Sequence, residues 1–191
     1  MSTTKGSYPL LLTTSNKGKI AEYKSILTPL QFSTPNENNI ILKAEETGNS
    51  YWMNARIKAE EGFRLSGIPT IADDSGLEIS ALNGYPGLYS ARYFSINGIL
   101  NKMKNIENRM AMFICVMCFY DGKSYRYFEG FLQGIISHHP IGEKGFGYDP
   151  IFYLTEYNKT VAQLPPEEKN KISHRGKAGN KFKSYFAKLN G

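Results

Sequence analysis

Short apolar runs alternate along the chain with turn-rich polar segments and amphipathic stretches, and that order predicts its elements. Pro9-Leu10-Leu11-Leu12-Thr13 reads as a short buried strand. Thr14-Ser15-Asn16 then supply capping side chains to a helix over 17–27, with Ile20, Tyr23, Ile26 and Leu27 on one face. Residues 38–43 (NNIILK) read as a second strand, and Glu45-Glu46-Thr47-Gly48 as a loop. Asn49 or Ser50 caps a helix reaching about Leu65, with Trp52, Ala55, Ala59 and Phe63 predicted on its buried side. A strand at Pro69–Ala72 leads into the acid pair Asp73-Asp74, where it is expected to end; Leu77, Ile79 and Ala81 alternate beyond it.

Asn83-Gly84-Tyr85-Pro86-Gly87 is a loop by composition, and 99–108 reads as a helix. Residues 112–120 and 124–132 form a hairpin turning at Asp121-Gly122. A loop at 145–147, a short strand at 151–153, a helical start at 167–171 and a closing helix over 177–189 complete the pattern. Helices and strands mix throughout, which sets the class as α/β, and the hairpin argues against an all-parallel sheet.

Length and composition narrow this little. A chain of 191 residues, 41% of them apolar, suits one large domain or two closely joined lobes. With 23 Lys+Arg against 17 Asp+Glu, the net charge of +6 favours anionic partners without choosing among nucleotides, nucleic acid and acidic membrane surfaces. Cys115 and Cys118 have CxxC spacing, but they lie in the apolar, strand-like MFICVMCFY. His138-His139 has poor spacing for a zinc partner, so buried inert thiols in a reducing compartment are expected. The opening apolar run is far too short for a membrane span, and no cleavage site follows it; a soluble, cytoplasmic protein is the expectation.

Four constellations carry candidate chemistry. In TTSNKGKIAEY, Lys17 and Lys19 stand in a helix's first turn, where cations oppose the helix dipole and a bound phosphate would reconcile them; two merely exposed lysines are the plain alternative. Asp73 and Asp74 point to opposite sides of a strand, so one can face a site, as an Mg²⁺ ligand near phosphate, while the other holds the fold; a simple turn competes with this. In EETGNSYWMNARIKAE, Asn54 and Lys58 share a helix flank, and Glu45 or Glu46 offers a second metal carboxylate. GFGYDPIF and EEKNKISHRGKA bring an aromatic among glycines and the donors Lys169, Lys171, His174, Arg175 and Lys177. Lys and Arg only donate, so facing position 6 of a purine they accept an oxo group and refuse an amino group.

Taken in order, TTSNKGKIAEY, EETGNSYWMNARIKA, IADDSGLEISALNGYPGLYSARY, GFGYDPIF and KISHRGKA resemble the inosine triphosphate pyrophosphatase family, also called the Ham1 family, from about residue 10 to 178. The resemblance implies a long mixed sheet flanked by helices, in a single domain of two lobes around a central cleft, and usually a homodimer. It implies Mg²⁺-dependent hydrolysis of deaminated purine nucleotides (ITP, dITP, XTP) to monophosphate and pyrophosphate, cleansing the nucleotide pool, with no nucleic-acid or membrane partner. Carried over by position, Thr14, Ser15, Asn16, Lys17, Gly18 and Lys19 hold the triphosphate, and Lys58 faces its phosphates. Glu46 and Asp74 bind Mg²⁺, Asp74 also serves as general base, and Ser75 touches substrate. Phe146 stacks on the base within the binding run Phe146, Gly147, Tyr148, Asp149, while Lys169, His174 and Arg175 read the base edge.

Three features depart from the family pattern. Ser15 replaces a common glycine, only a short FSING stretch follows SARY, and Gly179-Asn180 after SHRGKA suggests a late start to the last helix. Two rivals remain: the Maf-type pyrophosphatases, against which SHRGKA argues, and a basic nucleotide-binding module without catalysis, which leaves Glu46 and Asp74 unexplained.

Overall fold

Strand β2 (Thr70–Ile79) does not stop at the acid pair. It runs ten residues through it and pairs residue for residue with β3 (Met110–Tyr120), Asp73 opposite Met117 and Asp74 opposite Val116. This computed structural model describes residues 9–93 and 95–189. Its six strands lie in chain order: β1 (Leu11–Leu12), β2, β3, β4 (Tyr125–Ile136), β5 (Phe152–Leu154) and β6 (Lys159–Thr160). β1 runs parallel to β2 and every other neighbour is antiparallel, so the sheet is mixed. β3 and β4 form the predicted hairpin, with Asp121 closing the turn by accepting the Lys123 and Ser124 amides at 2.9 and 2.7 Å.

Helices cover both faces. α2 (Tyr51–Ser66) packs on the face carrying Ala72, Ile114, Val116 and Cys118. α1 (Lys17–Ile26) and α5 (His174–Leu189) pack on the other, around Tyr23, Ile71, Met117, Phe119 and Phe182. Further along that same face of β2, Leu77 and Ile79 join Phe113, Ile136, Phe152 and Val161 in a separate apolar cluster. Asp73 and Ser75 fall between the two clusters, which puts a polar seam across an otherwise apolar face. The CxxC cysteines are three apart on a strand, so they face opposite sides: Cys115 lies under α1 and α5, Cys118 under α2. Both are buried and free.

Several boundaries differ from expectation, each for a local reason. Residues 38–43 form no strand. Asn39 is left-handed (φ 54°), Ile41 is 76% exposed, and the edge of β1 is already taken by Ser33, which exchanges backbone hydrogen bonds with Leu10 and Leu12 at 2.8 and 2.9 Å. Trp52 is exposed; Tyr51 turns inward instead, so the buried stripe of α2 is Tyr51, Ala55, Ala59 and Gly62, and Trp52 donates from Nε1 to Glu129 at 2.9 Å. The helix expected over 99–108 is α3 (Ile96–Lys102), capped by Ser95, whose Oγ accepts from the Gly98 amide at 2.9 Å.

The last helix does not start late. α4 (Pro166–Ile172) ends at Ser173, whose Oγ accepts from the Gly176 amide at 3.0 Å, and α5 begins at His174. Gly179 sits inside α5 because a Cβ there would lie 2.6 Å from Ile26 Cγ2, where α1 crosses. Of the short stretch after SARY, Phe94 lies outside the described residues; Ser95 follows as the α3 cap.

Candidate active site

The two neighbouring acids are assigned to different structures by the strand's own alternation. Asp73 faces α1 and α5 and is 2% exposed. Lys19 Nζ reaches it at 2.8 Å and Arg175 Nη2 lies 3.7 Å away. Burial by itself would raise the Asp73 carboxyl; Lys19, then Arg175 and Lys58, outweigh it and hold it well below the usual carboxylate range. Asn16 caps α1 with its Oδ1, 3.1 Å from the Lys19 amide, so the first turn that carries Lys19 is fixed. No acid stands in that turn to offset its lysines. Lys17 points to solvent and lines neither cavity described below.

Asp74 faces α2. Asn54 Nδ2 donates to it at 2.9 Å, and the Ser75 amide donates at 3.0 Å. Lys58, one turn after Asn54, reaches Glu46 at 2.5 Å and Asp74 at 3.6 Å. A single ammonium thus lies between two carboxylates from separate segments. Burial raises the Asp74 carboxyl despite Lys58 and Lys19. Burial opposes ionisation of Glu46 too, but there Lys58 prevails and its pKa is lowered. For Lys58, burial disfavours the charged form and Asp74, Asp73 and Glu46 outweigh it, so its pKa is raised.

The opposite end of the seam is built around Phe146. Lys169 Nζ and the Arg175 guanidinium lie 5.0 and 5.4 Å from its ring centroid. The ring packs so tightly on α1 that a Cβ at Gly18 would be 2.7 Å from Phe146 Cδ1, which is why a glycine stands there. Asp149 accepts the Phe146 amide at 2.8 Å and pairs with Lys169, closing the GFGYD loop on itself. Tyr148 is buried and donates to the Ser90 carbonyl at 3.2 Å. Glu22, which sequence reasoning missed, accepts from Lys169 and from Arg175, each at 2.6 Å. Burial alone would raise Glu22; Arg175 and Lys169 outweigh it and lower its pKa. Its signal was available: Lys19, Glu22 and Tyr23 share one face of α1. Arg175 also donates to Ser75 Oγ at 3.0 Å. His174 stacks on Phe113 with centroids 4.7 Å apart; burial, then Arg175 and Lys169, push its pKa well below 6.5 and leave it neutral.

Two cavities meet along this seam. The first, about 370 Å³, is lined by Ser75, Phe113, Phe146, Gly147, Tyr148, Asp149, Lys169, His174 and Arg175. The second, about 680 Å³, is lined by Thr14, Ser15, Lys58, Arg92 and the loop 44–47. Asn16, Lys19 and Glu46 line both. Apart from Lys17 and Gly18, every residue assigned a site role from sequence therefore lines one cavity or the other, and Gly18 buttresses Phe146. Arg92, Phe113 and Asn54 join them unpredicted as site residues; Arg92 donates to the Glu46 carbonyl and lies 3.8 Å from its carboxylate.

The arrangement suits one divalent cation. An ammonium already lies between two of the carboxylates there, and Mg²⁺ characteristically takes one or two carboxylates plus substrate phosphate oxygens. Among the described residues no group of three or more His, Cys, Asp or Glu stands ready as a self-sufficient metal cage.

Comparison with known proteins gives the chain's relatives. Residues 10–185 match the sequence profile of the Ham1 family. The dITP/XTP pyrophosphatase of Aquifex aeolicus is 41% identical, over 91% of this chain and 94% of that protein. The protein of the same name from Synechocystis is 43% identical, over 91% and 92%. Among solved structures, the Staphylococcus aureus Ham1 protein superposes with a TM-score of 0.85 at 38% identity, covering 95% of this chain and 99% of that one. A HAM1 protein from Coxiella burnetii gives 0.86 at 35% identity, covering 94% and 98%.

Proposed function

The chain belongs to the Ham1 family, and on that premise we propose that it is an Mg²⁺-dependent nucleoside-triphosphate pyrophosphatase that converts ITP, dITP and XTP to monophosphate and pyrophosphate. The observation that carries the reading is the Lys58 ammonium between Glu46 and Asp74, on the wall where a small aromatic cavity opens into a larger basic one. The base and sugar occupy the first cavity and the phosphates the second.

Glu46 and Asp74 would hold Mg²⁺, which would supply charge neutralisation of the phosphate oxygens. The chain's own residues do the rest. Lys19 and Lys58 face the phosphates from the α1 and α2 sides, and Lys19 is oriented by Asp73. Asp74, held in place by Asn54 and the Ser75 amide, takes the proton of the water that attacks the α-phosphorus. The bond from the α-phosphorus to its bridging oxygen breaks and pyrophosphate leaves with the electron pair, beside the lysines.

Base choice follows from donor chemistry. Lys169 and Arg175 are already aimed along Phe146 by Glu22 and Asp149, and they have hydrogens to give and no lone pair to accept with. A 6-oxo purine satisfies them; the 6-amino group of ATP sets donor against donor, and a buried unsatisfied donor costs about 1–3 kcal/mol.

No described helix is long and apolar enough to cross a membrane. Two free buried thiols suit the cytoplasm. We assign a homodimer, for which Met110, Tyr127 and Phe131 of the sheet, with Trp52 and Met53 of α2, offer exposed apolar surface. Half-open cavities walled partly by acids suit a free nucleotide as the partner.

The test is pyrophosphate release from ITP, XTP, dITP, ATP, GTP, dTTP and UTP, with and without Mg²⁺. Release that needs Mg²⁺ and favours the deaminated purines supports the proposal. Preference for pyrimidines assigns Maf-like chemistry instead, and binding without turnover reduces the protein to a nucleotide carrier.

A further inference from the structure

The larger cavity's acidic wall rests on a segment with almost no backbone support. Leu42, Ala44, Glu45, Glu46 and Thr47 all line the cavity, yet 41–48 contains neither strand nor helix. Among the described residues, no backbone-to-backbone hydrogen bond ties 41–48 to a strand or helix; the one such bond within it, Thr47 to Glu45 at 2.8 Å, is internal. What holds the segment is side chains, and three come from one flank of α2. Asn54 Oδ1 accepts the Gly48 amide at 2.8 Å. Lys58 grips the Glu46 carboxylate. Glu61, one turn further, accepts the Lys43 amide at 2.9 Å with one carboxylate oxygen and the Ala44 amide at 2.5 Å with the other.

Positions 54, 58 and 61 follow the i, i+4, i+7 spacing that keeps side chains on one helical stripe. The stripe fastens the segment on both sides of Glu46. Two of its members, Asn54 and Lys58, also touch Asp74. Glu61 touches neither Asp74 nor Glu46. Its two oxygens pair with two adjacent peptide N–H groups, an arrangement in which a full carboxylate satisfies both donors, whereas an amide would turn a third donor toward them.

We propose that Glu61 is a positioning residue: by clamping the Lys43 and Ala44 amides it fixes the segment that presents Glu46, and it thereby sets the divalent-metal affinity of the site. The proposal rests on the pyrophosphatase reading for its kinetic consequence and on geometry alone for its structural one. Glu60 is the matched control. It lies one residue earlier, carries the same charge, and bonds Arg56 and Tyr125, away from the segment.

The experiment compares the full-length wild type with Glu61→Gln, Glu61→Asp and Glu60→Gln. Hydrogen exchange across 42–48, titrated with Mg²⁺ alone, gives a readout that needs no turnover. Glu61→Gln is expected to speed exchange at Lys43 and Ala44, through to Glu46 and Thr47, and to raise the Mg²⁺ midpoint at which the segment becomes protected. Glu60→Gln leaves both as in the wild type, and Glu61→Asp, which keeps both acceptor oxygens, recovers part of the loss. In pyrophosphate release from ITP, the half-saturating Mg²⁺ rises about 10-fold in Glu61→Gln, the size usual for losing a group that orients a metal ligand. kcat at saturating Mg²⁺ stays within about 3-fold, since Glu61 does not touch the reacting atoms.

Faster exchange with an unchanged Mg²⁺ midpoint makes Glu61 merely structural and overturns the proposal; so does unaltered exchange. A wild type that releases no pyrophosphate from any triphosphate overturns the pyrophosphatase reading instead, and the Mg²⁺ midpoint of amide protection still decides the role of Glu61.

Discussion

His174 gives the sharpest quantitative test of how the base cavity is built. Its ring is 6% exposed, stacks on Phe113, and has no hydrogen-bond partner at Nδ1. Burial, reinforced by Arg175 and Lys169, places its folded pKa well below 6.5. A histidine that is neutral when folded and titrates at 6.5 when unfolded gives the unfolded state the extra proton on acidification. Its contribution is therefore complete above the unfolded pKa and is lost as pH falls through about 6.5 toward the folded value.

If the folded ring is still neutral at about pH 5, the loss between about pH 7.5 and about pH 5 is ~2 kcal/mol. In a chain of this size that corresponds to roughly 4–8 °C in Tm. The carboxyls raised by burial, Asp74 and Asp149, act with the opposite sign, gaining stability as pH falls. They are common to wild type and variant, so the informative quantity is the difference between wild type and His174→Gln. Urea denaturation at the two pH values measures it. The wild type should lose ~2 kcal/mol more than the variant. Equal losses would refute the reasoning, because the imidazole would then be charging freely in the folded protein.

Three further outcomes follow from the same geometry. Asp74→Asn keeps the shape but only one acceptor oxygen, so either Asn54 or the Ser75 amide loses its partner; unfolding in denaturant should cost about 1–3 kcal/mol, while pyrophosphate release from ITP falls by at least ~100-fold, and near wild-type turnover removes Asp74 from the chemistry. Arg175→Ala leaves Glu22 and Asp73 buried with fewer partners, and it should both narrow the ITP-to-ATP preference and cost about 3–5 kcal/mol in denaturant unfolding; selectivity and stability unchanged together would move base reading elsewhere. Both thiols are pushed up to about 12, Cys115 by burial and the Asp73 charge and Cys118 by burial, so neither should react with a thiol reagent until the protein is denatured; rapid labelling of the native protein, or a disulfide between them, contradicts their placement on opposite faces.

What the sequence disclosed and what it hid have separate physical causes. The elements whose apolar residues repeat strictly, α1, β3 and β4, lie within a few residues of their predicted bounds, because burial of one stripe or both faces fixes them. NNIILK misled because composition suggests a strand while the partner edge it needs is occupied by Ser33, and edge occupancy is not written locally. Trp52 misled because a large apolar residue next to Tyr51 takes the inward position on hydrophobicity alone; the close approach of α2 to β2 selects the Ala55, Ala59 and Gly62 stripe, with Tyr51 at its head. Gly179 was read as a helix delay when it marks a helix crossing. At the site, the motif residues were legible as types, but the partners that aim them were not. Glu22, Arg92 and Glu61 act across gaps of 153, 46 and 17 residues; helical spacing puts Glu22 on the face of Lys19, but no spacing rule names the distant partners of the three.

The acid pair shows why such a site tolerates its own charge. Placing two carboxylates in adjacent positions of a buried strand puts like charges close together, and burial alone works against ionising either. Strand alternation separates them by the thickness of the sheet's backbone and gives each its own cation, Lys19 for Asp73 and Lys58 for Asp74. The two environments then diverge. Asp73 is held by a lysine and an arginine, stays ionised, and fixes the α1 and α5 side. Asp74 shares its single nearby lysine with Glu46, and its pKa rises. Glu46 and Asp74 thus divide one ammonium between two carboxylates, and would be the pair to hold a divalent ion there. Moving the pair by one residue would exchange the two faces, placing Asp74 under α1 and α5 and Asp73 beside α2, so the register between β2 and β3 decides which acid faces Lys58 and Glu46.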